Sequence, residues 1–206
     1  MGSNNNNKVV SKASPHTIKK FELIEKYVEW WMHKLLNYEK CEKLVFIDCM
    51  CNSGEYLDED DKSIMGTAVR VANSLYKAAS QYSSKEIHLV FNDIDEKKIA
   101  HLKTLLPSEK HNYKLYTRNM DAGDLLRKAA PLIVNSKGVH TLLIYDPYTA
   151  SIDWDAVMPF FNTWGEVILN HMVSDSIRAV PVAKRTDTIR KYEQTYQTKF
   201  EDLLPF

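Results

Sequence analysis

Three short apolar runs that each end in an aspartate set the strongest constraint on this chain: Lys43-Leu44-Val45-Phe46-Ile47-Asp48, His88-Leu89-Val90-Phe91-Asn92-Asp93 and Thr141-Leu142-Leu143-Ile144-Tyr145-Asp146. Near-continuous apolar strands of this length are the mark of a parallel sheet buried on both faces. Segments with helical spacing separate them. Ile18, Phe21, Ile24, Val28, Trp31 and Leu35 recur at intervals of three and four after Ser14-Pro15, a cap and first-turn pair, so a helix is expected to about Asn37. Similar spacing predicts helices over Ser63 to Ser80, Glu96 to Leu106, Ala122 to Asn135 (kinked or broken at Pro131), Trp154 to Trp164 and Arg185 to Leu203. Tyr113 to Thr117 and Val167 to Asn170 read as two further strands, and Cys49 to Asp61 as a loop.

Alternating strands and helices predict an α/β domain with a parallel sheet and helices on both faces. A length of 206 residues suits one such domain. We expect a disordered tail over 1–13 and a single α/β domain over 14–206. That domain comprises an N-terminal helix (14–42), a βα core (43–172) and a C-terminal helical segment (173–206). With 27 basic and 27 acidic residues the formal charge is zero, which gives no global pull towards nucleic acid; such a contact would need a local basic patch. No apolar stretch is long enough to span a bilayer, and no signal sequence is recognisable, so the expected compartment is the reducing cytoplasm, with no membrane partner.

Ligands of open parallel sheets bind beyond the carboxyl ends of the strands. Strand-end residues are therefore the candidates. In the loop Asp48 to Tyr56, Asn52 and Gly54 tolerate left-handed backbone and let the chain approach a ligand; with Asp48 and Cys49 they form the first candidate group. One glycine is not the dinucleotide fingerprint, and a plain turn is the alternative. Asp93 suits a ribose, because a carboxylate accepts from two hydroxyls, although helix capping competes there and at Asp95. Asp121 suits the exocyclic amine of adenine, or else it caps the following helix. Asp146-Pro147-Tyr148 offers an acceptor for an amine, a fixed backbone and a stacking face, against the alternative of a structural turn. Cys49-Met50-Cys51 lacks zinc-knuckle spacing, so no metal is expected there. The row of strand-end acids also admits a nuclease-like reading with Mg²⁺.

Taken in order, these pieces resemble the three-Cys-motif partner proteins. The matching pieces are His16-Thr17 with Lys19, Tyr27 and Trp30; Asp48 to Tyr56; Gly66-Thr67-Ala68; Phe91 to Asp95; Ile144 to Tyr148; and Val167 to Asn170, over about residues 16–178. The resemblance implies a Rossmann-like, class I methyltransferase-type fold, S-adenosylmethionine as cofactor and a partner protein bearing three cysteines. Two loop positions that are small in the family are Cys49 and Cys51 here, and a third is Asn52. Family members also continue past the fifth strand, so the last strands of the sheet are expected to be missing. On this reading the cofactor-binding residues are Asp48, Cys49, Asn52, Gly54, Asp93 and Asp121, and the catalytic ones Asp146, Pro147 and Tyr148, acting on an amino group such as that of a nucleobase, with nucleic acid a candidate partner. The competing expectation is an inactive methyltransferase-fold module that docks a partner within a mobile-element or defence cassette.

Overall fold

The structure, a computed structural model, describes residues 9–204 except 135, 150 and 163. A two-residue strand β1 (Ser11–Lys12) precedes helix α1 (Pro15–Leu36), which Ser14 caps by accepting the Thr17 amide. Next come β2 (Lys43–Asp48), the short strands β3 (Glu55–Leu57) and β4 (Ser63–Met65), and α2 (Thr67–Gln81). Then follow β5 (Glu86–Asn92), α3 (Glu96–Leu105), β6 (Tyr113–Arg118), α4 (Ala122–Ile133), β7 (Val139–Tyr145), α5 (Trp154–Val157) and β8 (Gly165–Leu169). Helices α6 (Val173–Ala179) and α7 (Thr186–Tyr196) complete the chain.

Five strands form one parallel sheet in the order β6-β5-β2-β7-β8. The fold is α/β and Rossmann-like, and among the described residues no strand follows β8. β2 is the central strand: each of its six residues is registered with β5 on one side and β7 on the other. Alternation along the strands splits the core in two. Leu44, Phe46, Leu89, Phe91, Leu142 and Ile144 face α1, α2 and α3. Val45, Ile47, Leu143 and Tyr145 face α4, α5 and the 3-10 turn that follows α5. β2 thus needs apolar side chains at every position but its first and last, as its sequence supplies.

Several local expectations are corrected. Residues 1–8 of the expected tail lie outside the description, while Ser11–Lys12 pairs in parallel with β3. The expected loop after β2 contains β3, which pairs antiparallel with β4. These three-residue strands are half-exposed and too short to show a period. β4 takes the residues assigned to the start of α2, which begins instead after Gly66. α5 stops after one turn because Pro159, which lacks an N–H, follows; Met158–Asn162 is a 3-10 turn. Pro131, by contrast, sits in the last turn of α4, which passes through it to Ile133. The terminal helix is interrupted at Gln197, whose φ of 52° ends α7 in a left-handed turn.

Phe46 is wholly buried in the first core layer, with its ring centroid 6.0 Å from that of Phe91. Phe46→Ala is expected to cost about 3–5 kcal/mol in urea unfolding followed by circular dichroism; a loss below ~1 kcal/mol would show that this layer is not the stabilising core.

Candidate functional site

Register decides which strand-end acids meet. Asp48 is level with Phe91 on β5 and Ile144 on β7. Asp93 and Asp146 each lie two residues beyond those partners. A period of two therefore turns all three carboxylates to the same face, towards α1. Asp121 lies three residues past Arg118, the last residue of β6, and ends on the α4 side. The order of strands also reverses beside β2, since β5 and β6 extend to one side and β7 and β8 to the other, which places Asp48 and Asp146 at the switch point.

A hollow of about 670 Å³ opens there, the size of a small-molecule site. Asp48, Asn52, Asp146, Pro147 and Tyr148 line it, with Cys51 and Tyr56 beside them and the first turns of α1 as its far wall. Asn52 (φ 58°) and Gly54 (φ 76°) take the left-handed backbone expected of this loop. Gly54 does not line the hollow. Its role is close packing, since a Cβ there would come within 2.5 Å of Leu102 and 2.8 Å of Val69. Cys49 is wholly buried with Val45 and Leu143 in the α4-side core and does not reach the hollow. Burial pushes both the Cys49 and Cys51 thiols well up, so they stay protonated. The hollow is not plugged by sulfur.

Side chains bridge its mouth. Lys20 of α1 donates to Asp146 Oδ2 at 2.5 Å, and Asn170 Nδ2 donates to Asp146 Oδ1 at 2.6 Å. Asn52 Nδ2 donates to the Tyr148 hydroxyl at 2.6 Å, and Lys98 Nζ lies 5.3 Å from the Tyr148 ring centroid. Lys20 and Asn170 were not among the expected residues. Lys20 stands beside Lys19 in the first turns of α1, and nothing local marks which of the two meets the rim; Lys19, quoted for the resemblance, pairs with Glu22 at 3.6 Å and only borders the hollow.

The two acids assigned to a nucleoside stand apart. Asp93 accepts the Asn52 amide at 3.0 Å and the Asp95 amide at 2.9 Å, one on each oxygen, and so locks the β2 loop to the end of β5. Asp95 caps α3. Asp121 caps α4 through the Gly123 and Asp124 amides. Neither Asp93 nor Asp121 lines the hollow. Among the described residues no group of three or more His, Cys, Asp or Glu is placed to hold a metal ion.

Asp48 carries the clearest electrostatic signature. Burial pushes its carboxyl up to about 7, Asp146 and Asp93 push the same way, and the Met50 amide (3.2 Å) and Lys20 only partly offset them. Such a shift at a cleft is a mark of functional sites. An acid whose folded pKa is raised stabilises the fold fully below its unfolded pKa, and that contribution is lost as pH rises through the folded value. The thermal midpoint is therefore expected to fall between pH 4 and pH 8, and Asp48→Asn to flatten this fall and to melt several degrees above wild type at pH 8. An unchanged pH profile in the variant would place the titration elsewhere.

Comparison with protein families and with curated protein sequences gives no match, so the reading of the rim rests on its own residues.

Proposed function

We propose that the hollow binds the cationic end of S-adenosylmethionine and that the chain acts as a methyltransferase-like protein on an amino group, together with a three-Cys-motif partner. What carries this reading is the pairing of Asp48 and Asp146 on one ligand-sized hollow at the sheet's switch point, under the Asp146-Pro147-Tyr148 turn. The donor set suits a cation, because among the described residues none places a cation in direct contact with Asp48, which gains one when a positive ligand binds. When bound, S-adenosylmethionine supplies a methyl group activated by its sulfonium.

The chain's own residues do the rest. Asp146 already holds an amino group, that of Lys20, between itself and the α1 wall. An acceptor amine takes that position, with the Asn170 amide fixing the carboxylate and Tyr148 offering its half-open ring. Such positioning is most of what methyl transfer requires of a protein. Asp93 keeps two lone pairs after its amide bonds, enough to accept a ribose hydroxyl if the Asn52 loop shifts outward.

Titration calorimetry with S-adenosylmethionine is the direct test. A cation favours ionised Asp48, so binding releases a proton below about pH 7, and affinity is expected to rise from pH 6 to pH 7 and to level off above it. Asp48→Asn is expected to weaken binding at least tenfold and to remove the pH dependence, whereas Asp146→Ala spares cofactor binding and abolishes transfer. No heat at millimolar ligand, with the protein shown to be folded, ends this reading.

A second reading, a partner-docking module without catalysis, is favoured by one observation. Leu23 and Trp30, seven residues apart on α1, are 70% and 65% exposed, and Val173 and Ile177 on α6 are also open. Co-expression with the three-Cys-motif protein followed by gel filtration separates the two readings. A stable complex lost on Trp30→Glu, with no cofactor binding, supports docking alone; a single free species removes it.

A further inference from the structure

A second hollow lies on the opposite face of the sheet, away from the rim. Parallel sheets of this kind are ordinarily covered on both faces. Here α4 and α5 cover the second face over β2 and β7, and of the neighbouring strand β5 only Val90 packs against that core. A groove of about 900 Å³ runs along the bared strands, from Glu42 at their amino ends to Arg118 and Met120 at their carboxyl ends.

Its floor alternates rings and cations. Period two brings His88 of β5 and Lys114, Tyr116 and Arg118 of β6 to this face. The His88 and Tyr116 ring centroids are 5.7 Å apart, and the Arg118 guanidinium lies 5.7 Å from the centre of the Tyr116 ring. Lys128 of α4 and Lys137 beyond it supply the wall. Of the two carboxylates on the groove, Glu86 is already engaged by Lys43 at 2.7 Å and by His88 at 3.3 Å, which leaves Glu42. Arg118, Lys128 and Lys137 have no carboxylate partner among the described residues. A chain of zero net charge thus concentrates unspent cations around two half-open rings.

We propose that this groove binds single-stranded nucleic acid, with bases stacking on Tyr116 and His88 and phosphates meeting Arg118, Lys128 and Lys137. An acidic protein would use the cations but has no need of ring faces between them. Stacking platforms flanked by cations serve single strands without sequence preference. The groove shares no lining residue with the rim site, so the proposal stands whether or not a cofactor binds there.

The test is fluorescence anisotropy of labelled twelve-nucleotide oligothymidine and oligouridine with the full chain at 50 mM salt. Micromolar binding is expected, with log K falling against log salt at a slope of about −2, as three phosphate contacts on a single strand give. Lys128→Glu with Lys137→Glu is expected to weaken binding more than tenfold. Both residues are exposed, so the fold is untouched. Tyr116→Ala is expected to cost about tenfold and Tyr116→Phe less than twofold, while Lys103→Glu, on the outer side of α3, changes nothing. The proposal is overturned by no anisotropy change at 100 µM protein, by binding that survives the double reversal, by polyglutamate competing as well as the oligonucleotide, or by duplex binding that Tyr116→Ala leaves intact.

Discussion

The central strand β2 is bonded on both sides along its whole length and covered on both faces, so its last residue has nowhere to go but inward. Ending such a strand in a carboxylate forces a charge-bearing group to the floor of the sheet's crevice. Asp48 meets one amide and two neighbouring acids there, and it holds its proton to near neutrality as a result. Asp146, one strand over, sits closer to water and resolves the same problem by taking Lys20. Two acids of the same kind on adjacent strands thus differ in surroundings: Lys20 bonds Asp146 directly and reaches Asp48 only through space.

The sheet was legible because its information is local. Six-residue apolar runs such as Lys43–Asp48 declare themselves without reference to anything else, and the helices between them follow from spacing. Asp48, Asn52 and the Asp146-Pro147-Tyr148 turn were legible as rim residues for the same reason. What escaped depends on distance. β1, β3 and β4 are too short for a pattern and exist only because they pair with one another. Asp93 has the right strand and the right face, but the amides that claim it belong to a loop and a helix start that only packing brings together. Asp121 lies past the end of β6, where the chain is already turning into α4, and the Gly123 and Asp124 amides claim it as that helix's cap. The uncovered floor of β5 and β6 was invisible altogether, since no sequence pattern says how far a helix reaches across a sheet.

The two hollows differ in how their charges are spent. The rim sets Asp48 and Asp146 among Lys12, Lys19 and Lys20, and Lys20 answers Asp146; in the groove behind β5 and β6, Glu86 is spent on Lys43 and His88. Gly54 serves the rim by staying small: with no Cβ against Leu102 and Val69 the loop lies flat on the sheet's end, and Asn52 and Cys51 reach the rim from a backbone anchored beneath it.

The bond between Lys20 and Asp146 spans 126 residues of chain. During synthesis the first helix leaves the ribosome long before β7 exists, so the mouth of the hollow cannot close until the chain has been made as far as Asp146. Until then α1 has only its neighbour α2 and the strands already formed to lean on, and its apolar stripe must be sheltered by them or by a chaperone. The site is assembled only when the end of β7, and Asn170 beyond β8, join a helix made far earlier.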